Sequence, residues 1–191
     1  MVYDPKKHHR QSRRLKGFVY ASSGVYFITI CTRNRSYLFG EISNSEMHLN
    51  KFGHIVKEEW LRSAEIRHEI ELDAFIVMPN HFHSIVWITN ENNIIVRATG
   101  RSPLHTDALP QHTNTSAQQN HRPKGPKPRS LGSLVGGFKS ICKTRINQIR
   151  QTPGAPVWQR NYHDHIIRNE KDYDRIRKYI ISNPARWEDD R

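Results

Sequence analysis

The chain has 191 residues, about one domain's worth, with 30 Lys+Arg against 18 Asp+Glu and a formal charge of +12. Hydrophobic content of 36% lies above the disordered class, and no apolar run approaches the length needed to span a bilayer. The basic N-terminus lacks an apolar signal region, and two cysteines, Cys31 and Cys142, make neither a disulfide framework nor a thiolate zinc cluster. A cytoplasmic protein with buried thiols is therefore expected, and its charge points to a polyanionic partner, of which nucleic acid is the commonest.

Residues 1–16 read as a flexible basic arm, with Lys6, Lys7, Arg10, Arg13, Arg14 and Lys16 against Asp4 alone. Residues 17–191 form the domain proper. A β-branched and aromatic strand is expected at Gly24–Cys31. Asn50 is placed to cap a helix running to Ile66, with Phe52, Ile55, Val56 and Trp60 on its buried face. Two strands follow, Glu71–Met78 and His81–Thr89, divided by Pro79-Asn80, a pair suited to a hairpin turn.

Residues 97–130 contain five prolines, six Lys/Arg and one Asp, the composition of a long, basic, disordered insertion. From Leu131 onward, Leu134, Val135, Phe138, Ile141, Cys142, Ile146 and Ile149 recur at helical spacing, while Lys139, Lys143, Arg145 and Arg150 mark the opposite face. Pro153-Gly154 stops this helix, a short strand fits within Val157–Ile167, and a last helix runs from Glu170 to Asn183. The order βαββαβ plus one helix is the ferredoxin-like α+β pattern, with two helices on one face of a four-stranded sheet. The extra C-terminal helix is left to cover the other.

On a strand, residues i and i+2 project to the same side, so His81 and His83 make a ready bidentate metal site. Chance spacing in a chain with 12 histidines is the alternative. Ile85 and Trp87 share that face, so something must cover it. In the last helix, Ile176, Tyr179, Ile180 and Asn183 form one stripe, whereas Tyr173 lies about 120° from Tyr179. Tyr179 is then either a core residue with its hydroxyl at the rim or a nucleophile. A phenol can attack a phosphodiester if its proton is removed and the phosphate is polarised by a divalent ion. The aromatic and imidazole groups from Trp158 to Arg168, with Arg160, suit either base stacking or a wet edge strand; Tyr162 there is the rival nucleophile.

Met78-Pro79-Asn80-His81-Phe82-His83, Ile167-Arg168-Asn169 and Tyr179-Ile-Ile-Ser-Asn183-Pro184, in that order, resemble the single-tyrosine HUH transposases, and within them the REP-associated tyrosine transposase branch. The resemblance spans about Gly24 to Trp187; the insertion at 97–130 departs from it. It implies a transposase, an enzyme that cleaves and rejoins single-stranded DNA at hairpin-flanked sites through a 5′-phosphotyrosine. It also implies one Mg²⁺ or Mn²⁺ held by the two histidines and a third polar ligand, no nucleotide cofactor, and a monomer or homodimer. Asn183, four residues beyond Tyr179, is the expected third ligand, with capping of the helix end as the other reading. The expected DNA contacts are the arm together with Lys139, Lys143, Arg145, Arg160 and Arg168. Two other readings share these motifs, a replication-initiator nickase and a catalytically silent nucleic-acid binder. Against the latter, the third strand carries histidines where an RNA-recognition sheet would carry aromatics.

Overall fold

The computed structural model describes residues 23–89 and 126–190, with side chains to Trp187; the arm and residues 97–125 of the insertion lie outside them. Strand β1, Gly24–Cys31, alternates its side chains between two faces, with Tyr26, Ile28 and Ile30 on one and Val25, Phe27 and Thr29 on the other. A short turn at Arg33–Arg35 leads to a hairpin, β2 (Gly40–Ser43) and β3 (Glu46–Leu49). Then follow helix α1 (Lys51–Ile66), the strands β4 (Ile70–Met78) and β5 (His81–Ile88), helix α2 (Leu131–Ile149), strand β6 (His163–Ile167) and helix α3 (Glu170–Ser182). The large sheet has the order β4-β5-β1-β6, with all neighbours antiparallel, which is the ferredoxin-like arrangement.

Local chemistry sets the helix ends. Asn50 accepts from the backbone N–H groups of Phe52 (2.9 Å) and Gly53 (3.1 Å), which starts α1 where expected. A Cβ at Gly53 would stand 2.2 Å from the Phe39 carbonyl, so only glycine lets this helix sit against the loop leaving β1. Ser130 and Ser133 close a reciprocal cap on α2, and Asn169 accepts from Asp172 to start α3.

One face of the sheet holds the main core. Trp60 of α1, Phe82 of β5 and Phe138 of α2 meet there with ring centroids 4.9–5.3 Å apart. Ile141 and Ile149, expected on the buried stripe of α2, are exposed instead, because α2 is covered only where it meets the sheet and α1. The opposite face is smaller: Val25, Ile85 and Ile167 pack under Ile176 and Ile180 of α3. Cys142 is buried, and burial pushes its thiol well above the ordinary range. Cys31 departs from expectation. It lies on the α3 face at the end of β1 and is only half-buried. Among the described residues, no helix is long and apolar enough to cross a membrane.

Candidate active site

Because β5 keeps its even residues in the main core, its odd residues face α3, and His81 and His83 emerge together with ring centroids 4.4 Å apart. Both are buried. Each ring is held from behind through Nδ1. Asn80 Oδ1 lies 2.6 Å from His81 Nδ1, and an amide oxygen can only accept, so the proton sits on Nδ1 and the Nε2 lone pair points away. Thr29, directly opposite His83 in the register, places its Oγ1 2.8 Å from His83 Nδ1. The Phe27 ring stacks on His83 at 5.4 Å, and the Trp187 ring lies nearly parallel to His81 at 6.0 Å. Such backing fixes the orientation of both rings and, for His81, the tautomer, as in metal-binding imidazoles.

Helix α3 crosses this face and brings the Tyr179 hydroxyl 3.2 Å from His83 Nε2. Phe27 meets the Tyr179 ring edge-on at 6.3 Å, so the phenol is guided from the sheet side as well. Tyr173 is elsewhere. At the other end of α3 its hydroxyl donates to Asp73; burial, then this carboxylate, push the Tyr173 phenol up to about 12. Tyr162 packs its ring against the main core and also lines the cleft, while the hydroxyl seen against an imidazole is that of Tyr179.

The histidines and Tyr179 open into a cleft of about 940 Å³. Its walls carry Arg35, Arg175, Lys178 and Arg186, with His163 and His165 from β6. Asp172 accepts from His165 Nε2 at 2.7 Å and from Arg175; burial alone would raise its carboxyl, but these partners hold it below the usual range.

The expected site residues are distributed unevenly. His81, His83 and Tyr179 come together. Asn183 stands at the end of α3 with its side chain buried and its backbone right-handed (φ −58°, ψ −40°), not in the left-handed conformation that makes asparagine a favoured cap. Arg160 and Arg168 are exposed beside β6. Lys139 donates to the carbonyls of Gln159 (2.6 Å) and Arg160 (3.1 Å), and burial lowers its pKa. Arg145 forks onto Glu59 (2.7 Å) and Glu58 (3.0 Å) of α1. Both cations thus have partners within the fold, and Lys143 stands half-buried on the same helix. Lys6, Lys7, Arg10, Arg13, Arg14 and Lys16 lie outside the described residues. Sequence reasoning missed Thr29, Asn80, Trp187 and the cationic wall of Arg35, Arg175, Lys178 and Arg186. The available signals were the parity of Thr29 on β1, the position of Asn80 beside His81, and the helical spacing of Arg175 from Tyr179.

The donor set decides what could bind here. Among the described residues, no group of three or more His, Cys, Asp and Glu could hold a metal ion. Among those residues a third protein ligand would be of another type; the amide of Asn183 is of such a type, buried at the end of α3 but not among the residues that line the cleft. Two imidazoles would leave a divalent cation its full charge and several open positions, which suits an oxyanion partner.

No protein-family model matches the chain. An uncharacterized protein of Haemophilus influenzae is 39% identical over 190 residues, covering 98% of this chain and 95% of that protein. The chain belongs to the family of that protein. Among solved structures, a REP-associated tyrosine transposase bound to a REP hairpin aligns with a TM-score of 0.55 at 19% identity, over 92% of this chain and 74% of that one. At that identity the likeness is one of fold, and the fold is the one derived above.

Proposed function

We propose that this protein is a divalent-metal-dependent endonuclease and strand transferase for single-stranded DNA, a transposase that works through a covalent link to Tyr179. The observation that carries this reading is the Tyr179 hydroxyl 3.2 Å from Nε2 of one of two paired imidazoles, inside a cleft walled by cations. The solved fold relative was bound to a hairpin, which recommends hairpin-flanked DNA as the substrate.

His81, His83 and Asn183 would hold one Mg²⁺ or Mn²⁺, whose chemistry when bound is to polarise a phosphodiester oxygen. The protein supplies the rest. Asn80 and Thr29 orient the imidazoles, and the Phe27 and His83 rings pack edge-on against the phenol ring. Lys178 and Arg186 draw the strand into the cleft. The Tyr179 oxygen then attacks phosphorus: its bond to phosphorus forms, the bond to the 3′ oxygen breaks, the phenol proton passes to solvent, and the leaving 3′ oxygen takes a proton back. The phosphotyrosine conserves the bond energy, so attack by another 3′ hydroxyl rejoins strands without a nucleotide cofactor.

Incubating the protein with a labelled, hairpin-flanked oligonucleotide and Mn²⁺ tests the reading. A denaturant-stable protein–DNA adduct should form with the wild type, vanish with Tyr179→Phe, and be suppressed reversibly by chelator. Adduct formation by Tyr179→Phe, or undiminished in excess EDTA, would refute it.

A further inference from the structure

The loop between β1 and β2 has features that the Tyr179 chemistry leaves unexplained. It is tied at both ends to the Pro79-Asn80 turn that launches His81. Thr32 N–H donates to the Asn80 carbonyl (2.9 Å) and its hydroxyl lies within reach of the Ser36 (2.8 Å) and Asn80 (3.0 Å) carbonyls, while Leu38 and Phe39 N–H donate to the Pro79 carbonyl at 2.8 and 3.0 Å. Between these ties, Asn34 and Arg35 both adopt left-handed backbone, with φ of 57° and 54°. Asparagine tolerates that region, whereas Arg35 is an uncommon occupant of it.

The outcome of that geometry is specific. Arg35 joins the wall of the cleft that holds His81 and His83. Two residues later, Tyr37 is 58% exposed, an unusual position for a large aromatic ring on a tightly fastened loop. Its ring meets Trp187 edge-to-face at 5.5 Å, and Trp187 in turn lies almost parallel to His81 at 6.0 Å. An apolar lid over Trp187 would need neither a phenol nor an arginine turned into the cleft. Tyr37 itself does not line the cleft, but an exposed aromatic two residues along the chain from a cation that does is an arrangement suited to unpaired bases and their phosphates.

We infer that the Arg33–Tyr37 loop is a nucleotide-binding station for single-stranded DNA, with Tyr37 stacking on an unpaired base and Arg35 contacting a phosphate flanking the one attacked. This rests on the reading of the Tyr179 site as a single-stranded DNA site. The ties to Pro79-Asn80 give the station a fixed distance from the histidines, so it sets the number of nucleotides between the stacked base and the cut.

The test is equilibrium binding of the labelled oligonucleotide to the full chain with Mn²⁺, using a set of oligonucleotides with one abasic site walked along the single-stranded flank. Tyr37→Ala should weaken binding about 5- to 150-fold, the range for removal of one base–aromatic stack, and Tyr37→Phe should restore it to within about two-fold. One abasic position should reproduce the weakening in the wild type and add nothing further in Tyr37→Ala. Arg35→Ala should reduce the slope of log affinity against log salt by about 0.7. Wild-type affinity in Tyr37→Ala, or a weakening that adds equally to every abasic position, would overturn the inference. Those results alongside a normal Tyr179 adduct refute the station alone. A wild type that neither binds nor forms an adduct refutes both.

Discussion

Removing one oxygen atom, in Tyr173→Phe, tests how the nucleophile's helix is fastened to the sheet. The Tyr173 hydroxyl donates to Asp73, which lies at the irregularity of β4 between Leu72 and Phe75 and also receives the Ala74 N–H (2.6 Å) and the Arg177 guanidinium (3.5 Å). Burial alone would raise the Asp73 carboxyl, but the Tyr173 and Ala74 hydrogen bonds, with Arg177, outweigh it and lower its pKa. Hydrogen bonds to charged groups contribute about 1.5–3 kcal/mol. Since Arg177 and Ala74 remain in the variant and the ring still packs near Trp87, we expect a destabilisation of about 1–2 kcal/mol, or several degrees of melting temperature for a chain of this size. The pH dependence supplies a second signature. With its folded pKa raised to about 12, Tyr173 contributes stability that is full below pH 10 and is lost as pH rises through 12. Asp73, with its pKa lowered, contributes stability that is full above the ordinary carboxylate range and is lost as pH falls below it. Thermal melts of both proteins from pH 3 to 12 check this: the alkaline decline should shrink in Tyr173→Phe. A variant that melts within about one degree of wild type at pH 7, with the same alkaline decline, would refute the reasoning.

Arg145→Ala should lower stability by about 2 kcal/mol, because it leaves the buried Glu59 carboxylate without its guanidinium, and denaturant melts at pH 7 read this directly. Asn183→Ala should bind Mn²⁺ more weakly than wild type in a direct titration at nearly unchanged melting temperature; equal titration curves would remove Asn183 from the ligand set. Deleting residues 1–16 should flatten the salt dependence of single-stranded DNA binding by about 0.7 for each phosphate the arm neutralises, measured by anisotropy over a salt series, and an unchanged slope would place the strand elsewhere.

Much of this fold is written in short-range pattern. The alternation in β5 separates Phe82, Val86 and Ile88 from His81, His83 and Ile85, and the stripe of Ile176, Tyr179, Ile180 and Asn183 identifies the helix that covers the histidines. Asn50 marks the start of α1 to the residue. Long-range pairing was not legible in the same way. No local signal places Thr29 opposite His83, or supplies the partners of Arg145 from α1, since both depend on how distant segments meet. The β2–β3 hairpin escaped for a local reason. Its strands have four residues each, and Asn44-Ser45 turns with both φ values positive but without the glycine that usually announces such a turn.

The alternation in β5 also limits how this protein can change length. Core residues and chemical residues interleave along the same eight positions, so inserting or deleting one residue between Pro79 and Ile88 would turn the imidazoles into the hydrocarbon interior and Phe82 into the cleft. Related chains should therefore tolerate no gaps in this stretch. The long proline-rich segment at 97–130 lies beyond the end of this strand, outside the stretch whose spacing is fixed. The boundary between fixed spacing and permitted growth falls at the end of one strand.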